Sequence, residues 1–398
     1  MVVVRGMKYA RALVAVFLVG CSGSSSGSAA PPGDAGSGGA FDASDAHAGD
    51  ASDSTDAGGP TDAAGTSEDG GPTNPLTALA ACLGPSMPLT LSGQMPYLSV
   101  PVGSQAGEFV LDFGSNFSSI DLSAFAPPGP STSGCDASEL GALCTVAGFA
   151  FFGPPASVEL TTESYADVSG TVRQAGIVAT DLLSQDVITL AYGKSLVFAS
   201  PSTGFCSDTA LRAAGFAPLS AAGFYVNDVS KLEALSLVDT SGPANDTVPN
   251  IPTVPVSVAG TTALAQLDTG FDDDVTPFSV DINQAFYAAI AAAAPSALVR
   301  DTSLDTTLTT CVDGVSQPVT GYRLAPSTTF DFLTDGGAVA RSYASTAIFL
   351  KATPAAARVC GGIGTWTVPA AQVAASYFNE MQTLLFDPYS SRVWIPQQ

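Results

Sequence analysis

The sequence predicts an all-β protein built from two similar halves, and three observations carry that prediction. Of 398 residues, 40 are Gly and 28 Pro, and Val, Thr, Phe and Ser recur in short runs broken by them, while long stretches of helical period are scarce. Two segments, Phe109-Val110-Leu111-Asp112-Phe113-Gly114-Ser115 and Ala265-Gln266-Leu267-Asp268-Thr269-Gly270-Phe271, repeat one pattern, an apolar strand running into Asp-x-Gly. The flanking sequence repeats as well, which points to two pseudo-symmetric lobes with a site at their interface.

The chain opens with Arg5, Lys8 and Arg11, followed by the apolar run Leu13 to Val19, too short to span a bilayer. Leu18-Val19-Gly20-Cys21 resembles a bacterial lipobox, so residues 1–21 are expected to be a lipoprotein signal peptide with Cys21 lipidated; Met7-Lys8 offers an alternative start. Residues 22–76 are almost wholly Ser, Gly, Ala, Asp, Pro and Thr, with one aromatic, Phe41. Such a tract buries too little apolar surface to offset the entropy of ordering, and it is expected to be a disordered tether. Its aspartates have no regular calcium-ligand spacing. The folded part is expected to divide into an N-terminal lobe, 77–206, and a C-terminal lobe, 207–398.

In the first half, Leu98 to Val102, a turn at Gly103 to Gly107 and the strand into Asp112 form one unit. In the second, Pro252 to Val258, a turn at Ala259-Gly260 and the strand into Asp268 form its counterpart, with Val102 and Val258 each ten residues before their Asp. Further on, Gly176 to Leu183 reads as a strand entering a short helix, and Val187 to Tyr192 with Ser195 to Phe198 as a hairpin. The matching module near the C-terminus is a helix over Val368 to Asn379, then a hairpin of Leu384 to Phe386 and Val393 to Ile395.

Composition excludes several chemistries. The only histidine, His47, lies in the low-complexity tract, so Ser-His-Asp and Cys-His mechanisms and histidine-based zinc sites lack their central residue. No metal or other cofactor is expected. A net charge of −23 repels phosphate backbones, so nucleic acid is not an expected partner. Apart from Cys21 there are six cysteines, Cys82, Cys135, Cys144, Cys206, Cys311 and Cys360, an even number that suits an exported protein. Six allow fifteen pairings. The least demanding set is Cys135–Cys144 closing a short loop, Cys311–Cys360 in the second half and Cys82–Cys206 across the ends of the first.

On Phe109 to Ser119, Gly176 to Phe198 and Leu267 to Gly270, the chain resembles the pepsin-like and retropepsin-like aspartic peptidases, over roughly 85–398. The resemblance implies a bilobal acid-protease fold, two β lobes with short helices and a cleft between them. It implies Asp112 and Asp268 as a catalytic dyad, supported by Gly114, Ser115, Thr269 and Gly270, with Tyr165, in a hairpin tip at Glu163 to Gly170, as flap tyrosine. Two carboxylates within about 3 Å cannot both ionise, so they share a proton, activate a water and polarise a carbonyl without a covalent intermediate. The expected activity is that of an aspartic endopeptidase acting at acidic pH on peptide or protein substrates. The protein would be a monomer exported to the cell envelope, in the periplasm, at the outer membrane or facing outward, and held to a membrane by its lipid.

The chain also departs from the family. Phe113 replaces the hydroxyl residue that usually follows the first Asp, and Phe271 the one that usually follows the second Gly. The apolar-apolar-Gly motif becomes Ile177-Val178-Ala179 in the first half and Thr367-Val368-Pro369 in the second. Asp272-Asp273-Asp274 follows the second turn at once. These departures keep two other readings open, a peptidase-fold lipoprotein that binds peptides or partners without cleaving them, and a structural envelope β-protein.

Overall fold

A computed structural model describes residues 75–166, 168, 170–224, 250–271, 278–310, 312, 314–360 and 362–397. The signal segment with Cys21, the tract up to residue 74, the Asp272 to Asp274 run and the Cys311–Cys360 pairing lie outside the described residues. The described chain is all-β with a few short helices, and it begins with a helix at Pro75–Leu79, two residues before the expected start of the first lobe. Pro75–Gln398 falls within a single unit.

The strands of the first half are β1 (Ser86–Ser92), β2 (Met95–Val102), β3 (Gln105–Leu111), β4 (Ser119–Ile120), β5 (Thr132–Ser133), β6 (Leu143–Phe149), β7 (Ala156–Thr162) and β8 (Gln174–Val178). Then follow helix Thr180–Leu183, β9 (Val187–Ala191), β10 (Leu196–Ser200), helix Asp208–Ala213 and β11 (Phe216–Ser220). The second half has β12 (Thr253–Val258), β13 (Thr261–Leu267), β14 (Ser279–Asn283), helix Gln284–Ala293, β15 (Leu298–Arg300), β16 (Thr306–Thr309), β17 (Ser316–Leu324), β18 (Phe330–Leu333) and β19 (Val339–Tyr343). It closes with β20 (Ala347–Lys351), β21 (Ala370–Val373), helix Ala375–Met381, β22 (Leu384–Asp387) and β23 (Arg392–Pro396).

The repeat read from sequence is a repeat of hydrogen-bonding pattern. In the first half β2 and β3 form a hairpin, β3 runs parallel to β8, and β4 lies antiparallel to β8 and parallel to β7. In the second, β12 and β13 form the hairpin, β13 runs parallel to β21, and β14 lies antiparallel to β21 and parallel to β20. Both hairpins turn tightly: Gly103 has φ 62°, and Ala259 and Gly260 have φ 51° and 77°, the left-handed geometry that suits the twist of paired strands. Because side chains alternate across a strand, matching registers place matching residues at matching points.

The two closing hairpins join the halves. β9 pairs with β22, with Ile188 opposite Phe386 and Leu190 opposite Leu384, while β10 pairs with β1 and β23 with β11. Six strands in the order β11, β23, β22, β9, β10, β1 therefore run as one sheet across both halves. Polar contacts reinforce the junction: Asn250 Nδ2 donates to Thr180 O and Ser184 Oγ at 3.1 and 2.8 Å, and Asn379 Nδ2 donates to Gln94 Oε1 at 2.8 Å.

One element differs from its sequence reading. The helix expected over Val368 to Asn379 is a strand, β21, followed by the shorter helix Ala375–Met381. β21 is inserted between β13 and β14, where Ala371 faces both Ala265 and Ile282, so the ladder on both sides overrides the local helix preference. Cys82–Cys206 and Cys135–Cys144 are both paired as expected. The first closes a span of 124 residues and sits against Leu79, Leu211 and Trp394 under the shared sheet. Because a long closed loop restricts the unfolded chain most, replacing both Cys82 and Cys206 with Ser should lower unfolding free energy by about 2–5 kcal/mol in urea titration.

Candidate active site

Each Asp sits at the end of a strand, held there by a parallel neighbour from its own half. The Asp112 N–H donates to Val178 O at 3.0 Å and the Asp268 N–H to Val373 O at 3.1 Å. Each carboxylate then accepts the N–H two residues on, Gly114 to Asp112 Oδ1 at 2.7 Å and Gly270 to Asp268 Oδ1 at 2.9 Å. The turns face each other so closely that each carboxylate lies over the other's glycine. A Cβ on Gly114 would stand 2.2 Å from Asp268 Cγ, and one on Gly270 would stand 2.6 Å from Asp112 Cγ. Only glycine permits that approach at either place. The two carboxyls hydrogen-bond each other, and with 2% and 1% exposure they are nearly sealed from water.

Thr269 ties the turns together. Its hydroxyl accepts the Phe113 N–H at 3.0 Å and donates to Leu111 O at 2.6 Å, so one side chain of the second half grips the backbone on both sides of Asp112. The first half returns no such bond, because Phe113 takes another partner. Its ring stacks on Phe386 of β22, with centroids 3.6 Å apart and planes 10° apart, and meets Phe224 edge-on at 6.0 Å. Full burial of a Phe is worth about 1.5–3 kcal/mol, and an aromatic pair about 0.5–1.5 more. A hydrogen bond is worth about 1 kcal/mol net. Packing thus replaces the missing half of the tie without loss of cohesion.

Burial pushes the Asp112 carboxyl well above the ordinary carboxylate range, and the neighbouring Asp268 charge pushes it further, against the opposing Gly114 and Gly270 N–H groups. Burial also raises Asp268, opposed by hydrogen bonds from Gln372, Asp112 and the Gly270 N–H and by the charge of Lys351. Behind the first turn, burial raises Asp181, which accepts from Ser118 N and Ser118 Oγ at 3.0 and 2.6 Å and so braces the loop that follows Asp112.

The other expected site residues fall as follows. Ser115 does not bond Asp112: its hydroxyl donates to Phe117 O at 3.2 Å, and its carbonyl accepts Thr180 N and Thr180 Oγ1, so it serves the loop. Tyr165 is not at a hairpin tip, because β4 separates β7 from β8 and residues 163–173 link two unpaired strands. Its side chain is turned inward, the hydroxyl 2.6 Å from Ser119 Oγ and close enough to Asp112 to feel its charge, while its N–H donates to Asp121 Oδ2 at 2.9 Å. Phe271 is buried with the Lys351 ammonium 5.5 Å from its ring centroid.

The sequence reading missed Gln372, whose Nε2 donates to Asp268 Oδ2. Register shows why: Leu111 pairs with Val178 and Leu267 with Val373, so the second copy of Ile177-Val178-Ala179 is Gln372-Val373-Ala374, five residues beyond the segment first matched to it. A search for apolar residues passes over a Gln. Lys351 and Asp281, ion-paired behind Gln372, carry no local signal in the sequence.

Among the described residues no group of three or more His, Cys, Asp or Glu side chains is placed to hold a metal ion. No protein-family model matches the chain, and no curated protein matches it.

Two measurements check this geometry. Thr269→Val strands the Phe113 N–H and Leu111 carbonyl in the interior and should cost about 2–4 kcal/mol in chemical denaturation. Asp112 binds a proton in the native state that the unfolded chain has already released, from about pH 4 up to its raised folded value, so stability should fall as pH rises through that window. Asp112→Asn should flatten this slope by up to about 1.4 kcal/mol per pH unit in urea titrations at successive pH values.

Proposed function

We propose that this chain is an aspartic endopeptidase of the pepsin-like bilobal type, hydrolysing peptide bonds in a cleft between its two halves. The observation that carries the reading is the seating of each buried carboxyl over the opposite turn's glycine, which makes Asp112 and Asp268 one proton-sharing unit. The repeated strand pattern and the six-stranded sheet joining the halves support the fold assignment.

In the mechanism, a water lies between the carboxyls. The ionised member removes its proton as the oxygen attacks the scissile carbonyl carbon, and the protonated member donates to the carbonyl oxygen. Collapse of the tetrahedral intermediate returns a proton to the leaving nitrogen, and the pair again holds a single proton. The reading extends to a monomeric lipoprotein exported to the cell envelope and tethered by Cys21 on a flexible tract; the two disulfides fit an oxidising compartment.

The one-sided Thr269 tie favours a second reading, a peptide-binding protein that does not cleave. Incubation with a quenched-fluorescence peptide library from pH 3 to 7 separates the two. The peptidase reading expects cleavage strongest at acidic pH and reduced by about 10⁴-fold or more in Asp112→Asn and Asp268→Asn. Wild-type cleavage matched by both variants overturns the catalytic assignment; peptide capture without cleavage supports the binding reading.

A further inference from the structure

Asp112 and Asp268 are equivalent by topology but not by surroundings. Both oxygens of Asp268 are engaged by donors, Oδ1 by the Gly270 N–H at 2.9 Å and Oδ2 by Gln372 Nε2. Gln372 stands on β21 directly opposite Asp281 of β14, and Asp281 forms an ion pair with Lys351 of β20. That pair is largely enclosed, with 11% of the Lys351 side chain and 3% of the Asp281 side chain exposed. The Lys351 ammonium also lies over Phe271, the residue after Gly270, so the cation stands beside the second turn. The Asp112 side is different. Its donors are the backbone N–H groups of Gly114 and Gly270, and the titratable groups nearby are Tyr165, Glu163 and Asp121. Among the described residues no Lys or Arg forms an ion pair with Asp112.

A side-chain amide N–H stabilises an ionised carboxylate, and a nearby ammonium does so through space. When two carboxyls share one proton, it rests on the member whose ionised form is less well supported. We propose that the shared proton rests on Asp112, and that Gln372, backed by the Lys351–Asp281 ion pair, is the positioning residue that keeps it there. Asp268 is then the base that takes the water's proton, and Asp112 is the acid that donates to the carbonyl oxygen. This division of roles rests on the peptidase reading, whereas the place of the proton rests on the pair alone. Repeat symmetry makes the asymmetry specific: the residue matching Gln372 in the first half is Ile177, which has no amide to offer Asp112.

The test is a site-resolved titration of the full chain with ¹³C-labelled Asp carboxyls, assigned with Asp112→Asn and Asp268→Asn and run beside a cleavage pH profile. The Asp268 carbon should ionise first, with Asp112 retaining its proton to higher pH. Gln372→Leu should raise the Asp268 transition by about one pH unit and move the Asp112 transition down, and the acid limb of kcat/KM should rise with it. Lys351→Met combined with Asp281→Asn, which leaves no lone buried charge, should shift the Asp268 transition in the same direction. Asp112 ionising first, or both sets of variants leaving the two transitions at their wild-type positions, overturns the proposal even if peptide is cleaved. The expected order and shifts in a protein that cleaves nothing uphold the proton's position and count against the peptidase reading.

Discussion

Two carboxyls pressed together out of water cannot both be charged, and much of this chain is arranged to hold them in that condition. Asp112 and Asp268 are brought to contact by two strand ends, each tied to its own parallel neighbour, and the glycine opposite each one leaves it just enough room. Were the halves free to separate, the carboxyls would rehydrate and ionise independently. The sheet that crosses from β11 to β1, with the Asn250 and Asn379 contacts, opposes that separation. Fold and electrostatics therefore constrain each other: burial raises both acids, and the proton they share removes the repulsion that would otherwise push the halves apart.

The two halves contribute unlike materials to this arrangement. The second supplies a hydroxyl, Thr269, that grips the backbone around Asp112. The first supplies a ring, Phe113, that stacks on Phe386. A directional polar tie on one side and dispersion plus burial on the other do the same job, because a buried aromatic contact is worth at least as much as the hydrogen bond it displaces. The same inequality marks the polar surroundings, where Gln372 stands at the point corresponding to Ile177. Topological symmetry with chemical asymmetry suits a pair whose members need different protonation states.

Much of the fold was legible in the sequence, because a duplicated pattern is visible wherever its residues are local. The strand–turn–strand units before Asp112 and Asp268, both closing hairpins and the Cys82–Cys206 and Cys135–Cys144 pairs were read from neighbours in sequence. The failures lie where tertiary contact decides. β21 was read as helix because its Ala-rich sequence favours helix and nothing local reveals that it lies between β13 and β14. That error displaced the second motif to Thr367-Val368-Pro369 and hid Gln372. Tyr165 was assigned to a hairpin because the insertion of β4 between β7 and β8 is not written in the intervening residues. At the site itself, the two aspartates, their glycines and Thr269 were legible; Gln372, Lys351 and Asp281, assembled from three distant strands, were not.

The most direct test of the account is a crystal structure with a peptide analogue in which a hydroxyl-bearing carbon replaces the scissile amide carbonyl. The account predicts that the hydroxyl lies within about 3 Å of both Asp112 and Asp268, displacing the water between them. Carboxyls that stand apart in the crystal, or an analogue bound away from a pair that remains closed, would contradict it.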